Sequence, residues 1–455
     1  MLRWTLPASF LLLAAACASA APGDVGTSSE EAFSSDLTIW PNTTSFANSD
    51  PWLADHHDSI REMRPHVLVL NFANHRSVQE VTARVHEIFA GLDEGSRYHG
   101  YSDPIAPAFL AYKLAKVVDL TDGSPRANSA LTPRKANAQD AWQFGYGALF
   151  GKELSDRYGF DDPSNPGRSL SVCELLARGK VHEIWVNTDP GGPVSAESLE
   201  YKQVYDAAGN AVPGRFDRCA GNGCIDADDL APIAACGRSI RIVSIGESRG
   251  PGCALHSLGH SFEGTGRDGG PVPPLTKDFL PFANFDLHSR LGLPFDNWYA
   301  CAYGFDTNAV SETTCPLPLS TVDERGNQVC ISFSGRNSLS WNVGGATGEV
   351  ASYDQGCGSV HFPPNARDHY DAKNRCPARS TCEHFGLHDG KNGVDAHEPY
   401  DASKAALYDH YAGYPFADCE GGWQIYWRQS FPGYANPATG RDGAPIRNWW
   451  PYLFY

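Results

Sequence analysis

Four short apolar runs, at residues 67–72, 116–120, 182–187 and 240–245, constrain this chain more than any other feature. Their hydrophobicity is continuous rather than alternating, which is the pattern of strands buried on both faces. Helix-like segments separate them. Residues 77–89 open on Ser77 with Glu80 three positions on, a capping box, and residues 172–178 close at Gly179. A further helix is predicted over 253–262, after the fourth run. Buried strands joined by helical crossovers imply an α/β fold, a mostly parallel sheet with helices on both faces, over about 65–265.

The rhythm stops there. Residues 266–455 are dense in Gly, Pro, Cys and Trp. We expect an irregular, disulfide-rich half packed against the sheet domain rather than an independent module. Ahead of the sheet, residues 21–64 are polar and lack periodic apolar spacing, which predicts a flexible tether without a core. Residues 1–20 read as a signal peptide: Arg3, an apolar stretch from Leu6 to Ala16, then Ala18-Ser19-Ala20 before a cut. Cutting before Cys17 instead would leave a lipid-anchored protein. No later run approaches the length of a transmembrane helix.

An exported chain gives its cysteines a meaning. Of thirteen, Cys17 lies in the export signal, and the other twelve suffice for six disulfides in an oxidising compartment. Metal clusters of cysteine are the rival, but no C-x-x-C pair occurs. Cys376 with Cys382, and Cys219 with Cys224 or Cys236, are the expected local bridges, although connectivity does not follow from spacing. Asp and Glu total 53 against 36 Lys and Arg, a net charge of -17 with no basic patch. Such a chain is a poor partner for nucleic acid.

Chemistry concentrates in two segments. In Gly252-Cys253-Ala254-Leu255-His256-Ser257-Leu258-Gly259-His260-Ser261-Phe262-Glu263 the spacings of four and three put His256, His260 and Glu263 on one helix face. Ser257 stands where a zincin has its Glu, so H-E-x-x-H is excluded. The pair His260 and Glu263 has the H-x-x-E spacing in which both residues ligate a metal and a distant His completes the site. The segment begins past a predicted strand end, where α/β sheets place ligands. The same spacing also fits a packed His beside a solvated helix end. The second segment runs from Gly356 to Asp371 and sets His361, Asn365, His369 and Asp371 among Gly and Pro; a loop bonding only its own backbone is the plain alternative. No G-x-S-x-G elbow and no phosphate-binding Gly-rich loop occur. Glu183, Asp189 and Glu247 sit at or just past strand ends as possible acids or bases.

The segments His182-Glu183-Ile184-Trp185-Val186, Leu258 to Glu263, Cys357 to Asn365 and Asn448-Trp449-Trp450 together resemble a family of large exported bacterial proteins with no established activity. The resemblance is patchy over roughly 65–455. Members of that family carry L-G-H-R-x-E in the second segment, which matches His260 and Glu263 and has no counterpart to His256. What the resemblance implies is a site of His260, Glu263 and His361, with His256 as an alternative ligand.

These readings converge on a secreted, disulfide-bonded α/β protein holding a divalent metal, zinc above others, and hydrolysing an extracellular polymer or small molecule. Asp371 or Glu247 would be the general base. Two other classes fit the composition: a non-catalytic carbohydrate- or surface-binding protein whose aromatics line a groove, and a structural surface protein. An open aromatic groove would favour binding, and convergence of the His segments would favour an enzyme.

Overall fold

The computed structural model describes residues 33–45, 50–136, 142–189, 198–246, 250–286 and 289, then 319–322, 328–334, 338–343, 346–350, 356–364, 379–387, 398–411 and 419–455. The segment expected to be a signal peptide, with Cys17, lies outside the described residues.

All four apolar runs enter one six-stranded sheet. They form His66–Asn71 (β1), Lys113–Asp119 (β2), Glu183–Asn187 (β3) and Ile240–Ser244 (β6). Two strands that the apolar pattern does not reveal complete it, Ser198–Tyr205 (β4) and Ala211–Asp217 (β5). The order is β2-β1-β3-β6-β4-β5, parallel from β2 to β6 and antiparallel at β4 and β5.

Both faces of the sheet are covered, as continuous apolar strands require. Leu68, Leu70, Ile184, Val186 and Ile242 pack toward the helix Val172–Ala177 and toward Ile233 of the helix Ala227–Ala234. A Cys173–Cys236 disulfide ties these two elements together. Val67, Val69, Trp185 and Val243 face the other way. There they meet Val78–Gly95 (α1), whose predicted capping box is formed, and Pro251–Gly266 (α2). The same core takes in Pro273–Ala283 (α3) and Gly421–Gln429 (α4). Phe262, Phe279, Phe282, Phe431 and Trp449 pack there mostly edge to face, the arrangement aromatic quadrupoles favour. The C-terminal half is therefore continuous with the sheet's own core, and residues 33–455 form one compact unit.

That half is less irregular than its composition suggests. Leu319–Val322 (β7), Gln328–Ser334 (β8), Ser338–Val343 (β9) and Ala346–Val350 (β10) form a second, four-stranded antiparallel sheet. Serine and glycine dilute the apolar signal of these strands, and only cross-strand pairing reveals them.

The expectation of a core-free tether over 21–64 fails for its described part. Trp40, Leu53, Ile60 and Met63 are fully buried, and Ile39–Trp40 pairs in parallel with Glu62–Met63. Each of these side chains plugs the core singly, without the spacing of a helix or strand, so periodicity cannot detect them. Among the described residues no helix is long and apolar enough to cross a membrane.

His57, in this same segment, is fully buried. Its Nε2 donates to the Asn448 carbonyl at 2.7 Å, which leaves Nδ1 to accept from the Tyr455 hydroxyl at 2.6 Å. The neutral ring is thus fully satisfied. Burial, with the Arg447 charge nearby, pushes its pKa from 6.5 down to about 3. Between those values the unfolded chain binds the proton and the folded chain does not, so stability must fall as pH drops from 6.5 toward 3. Urea midpoints across that interval should decline in the wild type and decline less in His57→Gln; an unchanged slope in the variant would refute the assignment.

Candidate metal centre

Every residue of α2 except His260 is buried, because the helix runs between the sheet and the aromatic cluster. Pro251 suits its first turn, where no amide donor is needed. His256 and His260 project from one face, a turn apart.

The third histidine arrives by a tight loop at 356–364. Gly358 has φ +87°, and a Cβ there would stand 2.0 Å from the Phe362 carbonyl oxygen. Only glycine fits. Val360 lies directly over Gly259 of α2, where a Cβ would come within 2.6 Å of its Cγ2. This approach sets His361 above the helix face between His256 and His260.

α4 holds loop and helix together. Trp427 Nε1 donates to the Gly358 carbonyl at 3.0 Å, Trp423 Nε1 to Ser359 at 3.2 Å, and Gln424 Nε2 to Val360 at 2.9 Å. Arg428, one turn beyond Gln424, donates to the Leu255 carbonyl of α2. Two disulfides reinforce this bracket: Cys253 at the start of α2 joins Cys419 just before α4, and Cys357 joins Cys382.

The result is a convergence of three imidazoles. His256 Nε2 is 3.1 Å from His260 Nε2 and 3.1 Å from His361 Nε2. One nitrogen from each of the three lies within 4.8 Å of the others. Nitrogens sharing a zinc ion at about 2.0–2.1 Å in tetrahedral geometry stand about 3.3 Å apart, so the trio has the span of a metal site. His256 is buried, whereas His260 and His361 reach the surface. Among the described residues these three are the group of His, Cys, Asp and Glu that can hold a metal ion.

Glu263, expected as a ligand, stands behind the site. Its Oε2 is 2.6 Å from His260 Nδ1 and its Oε1 accepts from the Val360 amide at 2.9 Å. Both oxygens point away from the convergent nitrogens. Burial alone would raise its pKa, but His260, His361 and the amide bond outweigh this and hold it below the ordinary value. A carboxylate on the far ring nitrogen fixes the tautomer that presents Nε2. The group the structure brings together is therefore His256, His260 and His361, with the expected ligand Glu263 behind it rather than in it. H-x-x-E spacing carries the carboxylate to Nδ1, while the spacing of four brings His256 to Nε2.

Glu247, Asn365, His369 and Asp371 lie outside the described residues, and with them both candidate bases. Glu183 is no surface acid. It is buried where β3 begins, bonded to Tyr112, Trp185 and Arg241. Cys219 pairs with Cys224 as expected. Cys382 does not pair with Cys376, which is outside the described residues, but with Cys357, because the loop carrying His361 crosses it. Cys236 bonds Cys173. No protein-family model matches this chain, and no curated protein matches it.

Proposed function

We propose that the chain is a zinc-dependent hydrolase of an extracellular polymer, with the metal on His256, His260 and His361. The observation that carries this is the meeting of three imidazole nitrogens from segments about a hundred residues apart. Three imidazole nitrogens this close, with a buried carboxylate behind one of the rings, form the donor arrangement that a divalent metal takes. An all-nitrogen donor set suits zinc, and a site with three protein ligands keeps one position open, as catalytic zinc sites do. Bound there, zinc supplies Lewis acidity toward a water or a carbonyl oxygen. His260 and His361 are partly exposed, so a substrate would approach from that side.

The rival binding function needs exposed aromatics. Trp423, Trp427, Trp449 and Trp450 are instead buried in the core. Four disulfides among the described residues fit an extracellular setting. Elemental analysis of the purified protein should find one equivalent of zinc, removed by chelation together with any activity on cell-wall or capsular polymers. Absence of metal, and no uptake from added zinc, would overturn the reading.

A further inference from the structure

A second polar cluster occupies the carboxyl end of the parallel sheet, apart from the three metal-binding histidines. From β1 the chain crosses to β2 on one side and later returns to β3 on the other. The carboxyl ends of β1 and β3 therefore border the crevice at which open α/β sheets accept ligands.

Both strands end there in buried amides. Asn71 and Asn187 are partners in register, and Asn187 Nδ2 donates to Asn71 Oδ1 at 3.0 Å. Asn71 also accepts from the Ala73 amide and donates to the Arg76 carbonyl, which pins the turn carrying His75. Two residues past β3, the Asp189 side chain is fully buried, and its Oδ1 lies 2.5 Å from Nε2 of His75, whose own side chain is 52% exposed. The Asp189 amide donates to Asn128 Oδ1 at 2.8 Å, so the acid is held from its backbone as well.

A buried carboxylate facing a surface imidazole does one thing well. It fixes the tautomer with hydrogen on Nε2 and leaves the Nδ1 lone pair to take a proton. Among the described residues near it, Arg76 pairs with Glu80 and Arg126 with Asp122. A neutral ligand suits these surroundings better than a phosphate. α1 also begins three residues after His75, which brings its positive end to this end of the sheet.

We infer that this is a second, metal-independent hydrolytic site for neutral esters, with His75 as catalytic residue and Asp189 as positioning residue. His75 Nδ1 takes one proton from a water molecule as that oxygen bonds to the acyl carbon. The ester C–O bond then breaks, and the proton passes to the departing alcohol oxygen. One water is consumed, one carboxylic acid and one alcohol are released, and His75 returns to its neutral form.

p-Nitrophenyl acetate tests this on the full chain, assayed before and after removal of metal with a chelator. We expect hydrolysis to survive chelation, to fall by about 100-fold or more in His75→Gln as for loss of a general base, and to be unchanged in His410→Gln, an exposed histidine elsewhere. Asp189→Asn should lower the rate and shift the acid limb of its pH profile, which a merely structural role would not do. His75 is on the surface, so its replacement leaves the core intact. Wild-type rates in His75→Gln, a rate abolished by chelation, or no hydrolysis at all would each overturn the inference. A protein that lacks zinc but keeps His75-dependent hydrolysis would refute only the metal reading.

Discussion

Zinc affinity is expected to fall by far more than about 100-fold in His256→Ala, and by only about 10- to 100-fold in Glu263→Gln, the range seen when the partner behind a ligand is lost. His256 supplies the nitrogen closest to both of the others, 3.1 Å from each. Removing it leaves two ligands and an open metal. Glu263 acts only through the His260 ring and the Val360 amide, so glutamine there loosens a tautomer without deleting a donor. Competition titration against a chromophoric chelator measures both affinities, with thermal melting as a check that the Cys253–Cys419 bond has kept α2 in place. A larger loss in Glu263→Gln than in His256→Ala would restore the ligand set suggested by H-x-x-E.

The second large effect concerns stability. Arg241 is buried on β6 between two buried carboxylates. Its Nε donates to Glu200 at 2.6 Å, one terminal nitrogen to Glu183 at 2.8 Å, and the other to the Leu453 carbonyl at 3.0 Å. Glu183 also accepts from the Tyr112 hydroxyl and the Trp185 indole. Arg241→Met leaves two buried carboxylates without the guanidinium that bonds both of them, and stripping one partner from a buried pair costs about 3–5 kcal/mol. Urea denaturation at neutral pH should register a loss of that size. A loss below about 1 kcal/mol, the range of exposed pairs, would mean that water reaches the cluster.

The same cluster explains where the sequence stops being legible. β1, β2, β3 and β6 are readable because their continuous Val, Leu and Ile leave no other place for them than between two layers. β4 is not, since Glu200 and Lys202 mark it as exposed; Arg241, from another strand, makes the burial of Glu200 tolerable, and the distant Tyr452 carbonyl receives the Lys202 ammonium. The site divides the same way. The face carrying His256 and His260 follows from helical spacing, and His361 from its rigid loop. Whether Glu263 meets the metal or the back of a ring is decided by a few ångströms that spacing does not fix. The role of α4 was invisible too, because Trp423, Gln424 and Trp427 grip backbone more than sixty residues away. The family resemblance offers no counterpart to His256, whereas geometry puts it at the centre.

The two disulfides that flank the histidines also set an order of events in the life of the chain. Cys253 is joined to Cys419 across 166 positions, and Cys357, four residues before His361, to Cys382. A newly made chain with reduced thiols has two of the three histidines on one helix and the third on an unfastened loop. On the proposed function, metal loading would come last in maturation, after oxidation has closed both bonds. On the same reading, a chain whose thiols are kept reduced would neither compete for zinc nor act prematurely.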